Sequence, residues 1–316
     1  GRHINNPDQR SVAYMSFHGI PHDRFGEFGR FIARYSPHRR ERNAAMARRV
    51  GEAFGRWGLT IDLERDVEPL SFRHEGGSVT ERHLLLALAR KVMEKAGKGP
   101  GTVLFLERDL GVGLGGKVRG YLSDPGNEHY EYDLLGALKG GLNDRIYLPA
   151  GPECPKVGEF VGFARETGSI LTYAYLGDVA ESVTGDKKAQ AFEDGYLDLL
   201  FAELGRLGVK AVTYMPTRNT DAQIARVKAL CAEHGLIEVC GEDINSPRQG
   251  FVCEEIGKPW LSNLIEAAWA LIGHEAAATG DASAGFLGEA AVRGYPKLDE
   301  RVAAFAGIGR GGYEYA

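Results

Sequence analysis

The sequence predicts an α/β barrel-like enzyme fold interrupted in its first half by a helical insertion. Three observations predict it. From residue 168 onward, short apolar runs alternate with runs of helical spacing, the pattern of parallel strands joined by crossover helices. Residues 36–167 read mainly as helix. Charged and amide residues gather immediately after each predicted strand in the second half, the end at which such sheets place their chemistry. The expected units are a barrel strand and loop over 1–35, a helical lobe over 36–167, barrel strand-and-helix units over 168–260 and a C-terminal helical tail over 261–316.

Residues 11–20 form a short β-prone run ending at Pro21, a strand followed by a loop. Ser36-Pro37 reads as a helix start, with Met46, Val50, Phe54 and Trp57 continuing at helical spacing. Ser78 with Glu81 has the spacing of a capping box, and Leu84, Leu85, Leu88 and Val92 line one face of the helix that follows. The glycine-rich stretch 97–128 gives no clear element. Helices are expected around Tyr132–Leu138 and near 157–167. Residues 169–175 then read as a strand, Phe192 to Leu200 as a helix, and 209–214 as the next strand. Thr220 and Gln223 cap a helix carrying Ile224, Val227 and Cys231; Gly235 stops it, and 237–240 is a further strand.

The chain of 316 residues is 43% hydrophobic and 26% charged, enough to bury a sizeable core. A formal charge of -5 without a basic stripe gives no footprint for a nucleic-acid backbone. No run approaches the roughly 20 apolar residues of a membrane span, and no signal peptide is visible, so a soluble, cytoplasmic protein with a small-molecule substrate is expected. Four cysteines, Cys154, Cys231, Cys240 and Cys253, are too irregularly spaced for a disulfide framework or a paired zinc knuckle.

The strand ends supply the candidate chemistry. After the first of the three later strands come Asp178, Glu181, Thr184, Asp186, Lys187 and Lys188; after the second, Thr217, Arg218 and Asn219; after the third, Glu242, Asp243, Asn245 and Arg248. Carboxylates hold hard cations and guanidinium groups clamp anionic oxygens, so the mixture suits a metal or phosphate site. The N-terminal strand ends on His18, followed by His22 and Asp23. Helix capping is the competing role for most of these residues, and His83 inside its helix suits packing or hydrogen bonding as well as a position at the mouth of a cleft.

The run from Leu207-Gly208-Val209 through Tyr214-Met215-Pro216, Gln223, Arg226 and Gly235-Leu236 to Gly241-Glu242-Asp243-Ile244-Asn245 resembles the end of the PHP (polymerase and histidinol phosphatase) family of metal-dependent phosphoesterases. Arg39 to Val50, and Ser78 to His83, are similar to helices of the small-molecule branch of that family. The resemblance implies a PHP-like distorted β/α barrel acting as a metal-dependent hydrolase on a small phosphate ester. Its divalent metal (Zn, Mn or Fe) would be held by Asp243, Asn245, His18 and Asp178. Asp243, Arg218 and Lys187 would be catalytic, and Tyr175, Asn219, Arg248 and His83 would contact substrate. The family's Asp-x-His-x-His strand is not in the sequence, and its later histidines are replaced by Tyr175, Met215 and Asn245. A barrel that binds a ligand or partner without metal or catalysis is therefore a second expectation. An acid-base enzyme using Tyr173, Tyr175 and Lys187 is a third. A closed barrel of this kind needs about seven or eight strands; four are legible, so an upstream segment is expected to cover the edge beside Val12–Phe17.

Overall fold

The computed structural model describes residue 9, residues 11–178 and residues 192–311. Its four strands, β1 (Met15–His18), β2 (Ile170–Ala174), β3 (Ala211–Tyr214) and β4 (Ile237–Cys240), are those expected, and they form one sheet in the order β1-β2-β3-β4. The three later strands are parallel, whereas β1 runs antiparallel to β2, pairing Met15 with Tyr173 and His18 with Ile170. The sheet of the described residues is mixed and open, with β1 and β4 as its edges.

Alternation along the strands gives the sheet two apolar faces. Leu171, Tyr173, Tyr175, Val212 and Tyr214 point to one face, where they pack with α8 (Leu197–Leu207) and α9 (Asp221–His234). Both crossovers between parallel strands thus lie on the same side of the sheet. Ile170, Ala211, Ile237 and Val239 point to the other face and meet α10 (Ser262–Ala278) and α12 (Leu298–Gly311), with α11 (Glu289–Gly294) between them in sequence. The C-terminal helical tail therefore completes a helix, sheet, helix sandwich. In α10 and α12 the backbones touch: a Cβ on Gly273 would lie 1.9 Å from the Phe305 carbonyl oxygen, and one on Gly309 2.2 Å from that of Trp269.

The residues between β1 and β2 are helical, as expected. They comprise α1 (Phe25–Ala33), α2 (Ser36–Phe54), α3 (Glu81–Ala96), α4 (Pro100–Leu104), α5 (Gly116–Ser123), α6 (Tyr130–Ile146) and α7 (Val157–Thr167). Helices α2 to α6 enclose their own core, centred on Phe54, Leu85, Leu88, Leu106, Leu134 and Leu138. Two elements depart from the sequence reading. Residues 25–33 are helix rather than loop, with Phe28 and Phe31 buried one turn apart, and the glycine-rich stretch holds α4, a π-helical turn at Phe105–Leu110 and α5. The start of α3 also shifts by two residues. Thr80 is its cap, and the ring of His83 takes the place expected for Glu81 by accepting the Thr80 N–H at 3.0 Å.

Candidate functional site at the carboxyl edge of the sheet

Parallel register carries the exits of β2, β3 and β4 to one edge, and side chains lace the three exit loops together. Arg218 Nε and Asn219 Nδ2 both donate to the Leu176 carbonyl, at 3.0 and 2.8 Å. The Thr217 N–H and hydroxyl donate to the two oxygens of Glu242, at 2.9 and 2.5 Å. Gln223, after closing the capping box with Thr220, reaches the Asp178 carbonyl at 2.8 Å and Asp194 at 2.7 Å. Gly177 permits the tight exit of β2 with φ +71, since a Cβ there would meet Asn219 at 2.4 Å and Tyr175 at 2.8 Å.

This lacing consumes several of the residues expected to touch a substrate or metal. Asp178 Oδ1 accepts the backbone N–H groups of Phe192, Glu193 and Asp194 at 2.7, 2.7 and 3.3 Å, so it ties down the chain that enters α8. Tyr175 is buried and donates its hydroxyl to Asp194; burial first, then that hydrogen bond, pushes its ionisation far up. Asn219 is buried and spends its amide on the turn, accepting the Met215 N–H at 3.3 Å. His83 caps α3, and burial lowers its basicity. Arg248 forms a fork with Asp133 of α6, at 2.8 and 2.7 Å, donates to Asn127 at 3.0 Å and lies 3.7 Å over the ring of Tyr121. Burial would raise the Asp133 carboxyl, yet the hydrogen bonds from Arg248 and Asn127 outweigh it and hold that carboxyl below its usual range. Arg248 is therefore a strut between the β4 exit loop and the helical lobe, not a free anion clamp. Beside it Arg82 reaches the Asn245 carbonyl at 3.5 Å, so the lobe does meet this edge.

His18 is displaced altogether. The antiparallel register sets it opposite Ile170, at the amino end of the parallel strands, with its Nε2 3.0 Å from Ser16 Oγ and its basicity lowered by burial. It cannot join Asp243, because the length of the strands separates them. Lys187, with Glu181, Thr184, Asp186 and Lys188, lies outside the described residues. Of the expected set, Asp243 remains exposed and Asn245 half-buried on the β4 exit loop, which Gln249 braces through the Asn245 N–H at 2.7 Å and the Asp243 carbonyl at 3.0 Å. On the β3 exit, Arg218 has its second terminal nitrogen buried and without a hydrogen-bond partner among the described residues.

A group that could hold a cation does form at this edge, from Glu242, which the sequence places after the third strand, and two cysteines not expected as ligands. Cys240, Glu242 and Cys253 place one donor atom each within 4.8 Å of one another. Cys240 and Glu242 are two residues apart at the end of a strand, so they project to the same side; that spacing was the signal available, and Cys253 is added by the return of the loop. Burial pushes the Cys240 thiol up to about 11 and raises Cys253 as well, so a metal would have to displace those protons to bind. The donor set fits a thiophilic divalent ion, with Thr217 orienting the carboxylate from behind. The four residues first expected as ligands do not fit one, because His18 is at the far end and Asp178 holds backbone N–H groups. Among the described residues no helix is long and apolar enough to cross a membrane. No family model, curated protein or solved structure compared with this chain matches it.

Proposed function

We propose that the protein is a metal-dependent hydrolase of small phosphate esters, working at the carboxyl edge of a PHP-like barrel sheet. The observation that carries the reading is the meeting, at one sheet edge, of a three-donor cluster and an arginine with an unspent buried nitrogen. Cys240, Glu242 and Cys253 would hold the ion; three protein ligands leave a position open, as catalytic zinc sites do. Such an ion supplies Lewis acidity and a bound water of lowered pKa. Arg218 would take a phosphoryl oxygen, its fork already aimed by the Leu176 carbonyl. The exposed Asp243 would hold the attacking or departing proton. The resemblance of residues 207–245 to the PHP family and the single-sided winding of β2, β3 and β4 support the same reading.

Metal analysis of the purified protein, together with turnover of p-nitrophenyl phosphate and a panel of small phosphate esters, tests it. One zinc-class ion per chain is expected, lost in Cys253→Ser, with turnover about a hundredfold lower in Arg218→Gln. Absence of both metal and turnover would overturn the proposal.

A further inference from the structure

A cavity of about 270 Å³ opens elsewhere, between α1, α2, α7 and the loop that precedes α3, and shares no residue with the strand-exit edge. One wall is aromatic. Phe28, Phe31 and Phe160 all pack against Phe17, with Phe17 and Phe160 stacked at 4.0 Å. The opposite wall carries arginines Arg39, Arg40 and Arg73 with the carboxylates Glu68 and Glu153.

Hydrogen-bond accounting separates these groups. Arg40 and Arg73 both bond Glu68, at 3.1 and 2.7 Å. The buried Glu153 gives both oxygens to Arg42, at 2.7 and 2.9 Å. Arg39 keeps an ion pair with Glu153 at 3.6 Å, beyond hydrogen-bond length, and its guanidinium donates no hydrogen bond among the described residues. The second polar group is Asn43, fully buried in the cavity lining. Its amide nitrogen donates to the Val79 carbonyl at 3.0 Å, and its Oδ1 has no partner among the described residues. A buried acceptor left unmet is costly, so the site is built for something that donates to it.

We infer that this cavity binds a one-ring aromatic carboxylate bearing a hydroxyl or amino donor: the ring against Phe31 and Phe160, the carboxylate on Arg39, the donor on Asn43 Oδ1. The volume is near the lower end for ligand pockets, which suits one ring rather than a nucleotide. A single unspent guanidinium matches one carboxylate in charge and in shape. Arg40 and Arg73 are engaged by Glu68 and Arg42 by Glu153, so a phosphate dianion would find only Arg39 to meet its two charges.

Calorimetric titration of the full chain with 4-hydroxybenzoate, benzoate, phenol and inorganic phosphate tests the assignment. Saturable binding of 4-hydroxybenzoate is expected, with benzoate about fivefold weaker for want of the donor and phosphate not competing. Arg39→Gln should weaken 4-hydroxybenzoate about tenfold or more and leave phenol unchanged. Ile32 is exposed at the mouth of the cavity, so Ile32→Trp should fold normally and abolish binding while turnover of p-nitrophenyl phosphate stays as in the parent protein. No saturable binding of 4-hydroxybenzoate, binding that survives both substitutions, or equal affinity for phosphate would each overturn it.

Discussion

The helical lobe and the sheet bury polar atoms on different scales. In the core enclosed by α2 to α6, the large buried side chains are almost all aliphatic or Phe; Tyr130 satisfies its hydroxyl on backbone, accepting from Gly99 at 2.8 Å and donating to Leu122 at 3.0 Å. Against the crossover face of the sheet, three buried tyrosines each meet a carboxylate: Tyr173 with Glu193 at 2.7 Å, Tyr175 with Asp194, and Tyr214 with Glu238 at 2.7 Å. Apolar area stabilises the first region without fixing any atom sharply. The second accepts desolvation costs, and in exchange its strand exits are set by directed bonds. Glu193 illustrates the exchange, since its other oxygen receives the N–H groups of Leu176 and Gly177 at 2.9 and 2.8 Å.

Replacing Glu193 by Ala tests the contrast most severely. Three donors lose their acceptor, so a loss of about 3–6 kcal/mol is expected, read by urea unfolding. Glu193→Gln should recover part of it, and a loss under 1 kcal/mol would show that the carboxylate is not needed. Leu88→Ala in the helical core should cost about 3 kcal/mol, with no dependence on pH; a cost that varies between pH 5 and 8 would break the distinction.

His274 extends the contrast to the sheet's other face. It is buried in α10, accepts the Phe286 N–H at 2.9 Å, and burial lowers its pKa to about 4. The unfolded chain takes up this proton near pH 6.5 while the folded chain stays neutral, so its stabilising share is complete above 6.5 and is lost as pH falls toward 4. Glu193, raised above its ordinary value by burial, works with the opposite sign near its own pKa. The clean measurement is thus the comparison with His274→Gln, whose stability between pH 6.5 and 4 should fall by about 3 kcal/mol less than that of the parent. Parallel pH profiles would refute the assignment. The smallest effect belongs to Arg248→Ala. The global unfolding midpoint should barely move, while amide exchange in residues 243–250 speeds up about tenfold; unchanged exchange would mean the strut is idle.

Local chemistry made much of the fold legible. Thr220, Gln223 and Gly235 bracket α9 as read, and the four strands announced themselves through apolar runs between turns. The direction of β1 was hidden because the helical lobe separates it from its partner, and nothing within residues 15–18 encodes which way a neighbour runs. Residues 25–33 concealed a helix because Gly26 and Gly29 dilute the aromatic spacing, which packing against Phe160 and Phe163 overrides. At the candidate site, residue type alone could not separate a carboxylate open to solvent, Asp243, from one bound to three backbone N–H groups, Asp178. Cys253 joins Cys240 only through the loop that returns between them.

The contact of Gly273 with Phe305 and of Gly309 with Trp269 bears on the order of folding. Two helices joined by residues 279–297 and seated backbone to backbone form a pair far more local in sequence than β1 with β2, with correspondingly less loop-closure cost. That pair can assemble before β1 finds β2 across the whole helical lobe, and it then offers Ile170, Ala211 and Ile237 a finished surface on which to gather. On this account Gly309→Ala slows refolding as well as speeding unfolding, whereas a substitution in β1 that weakens its pairing with β2 leaves the refolding rate nearly unchanged.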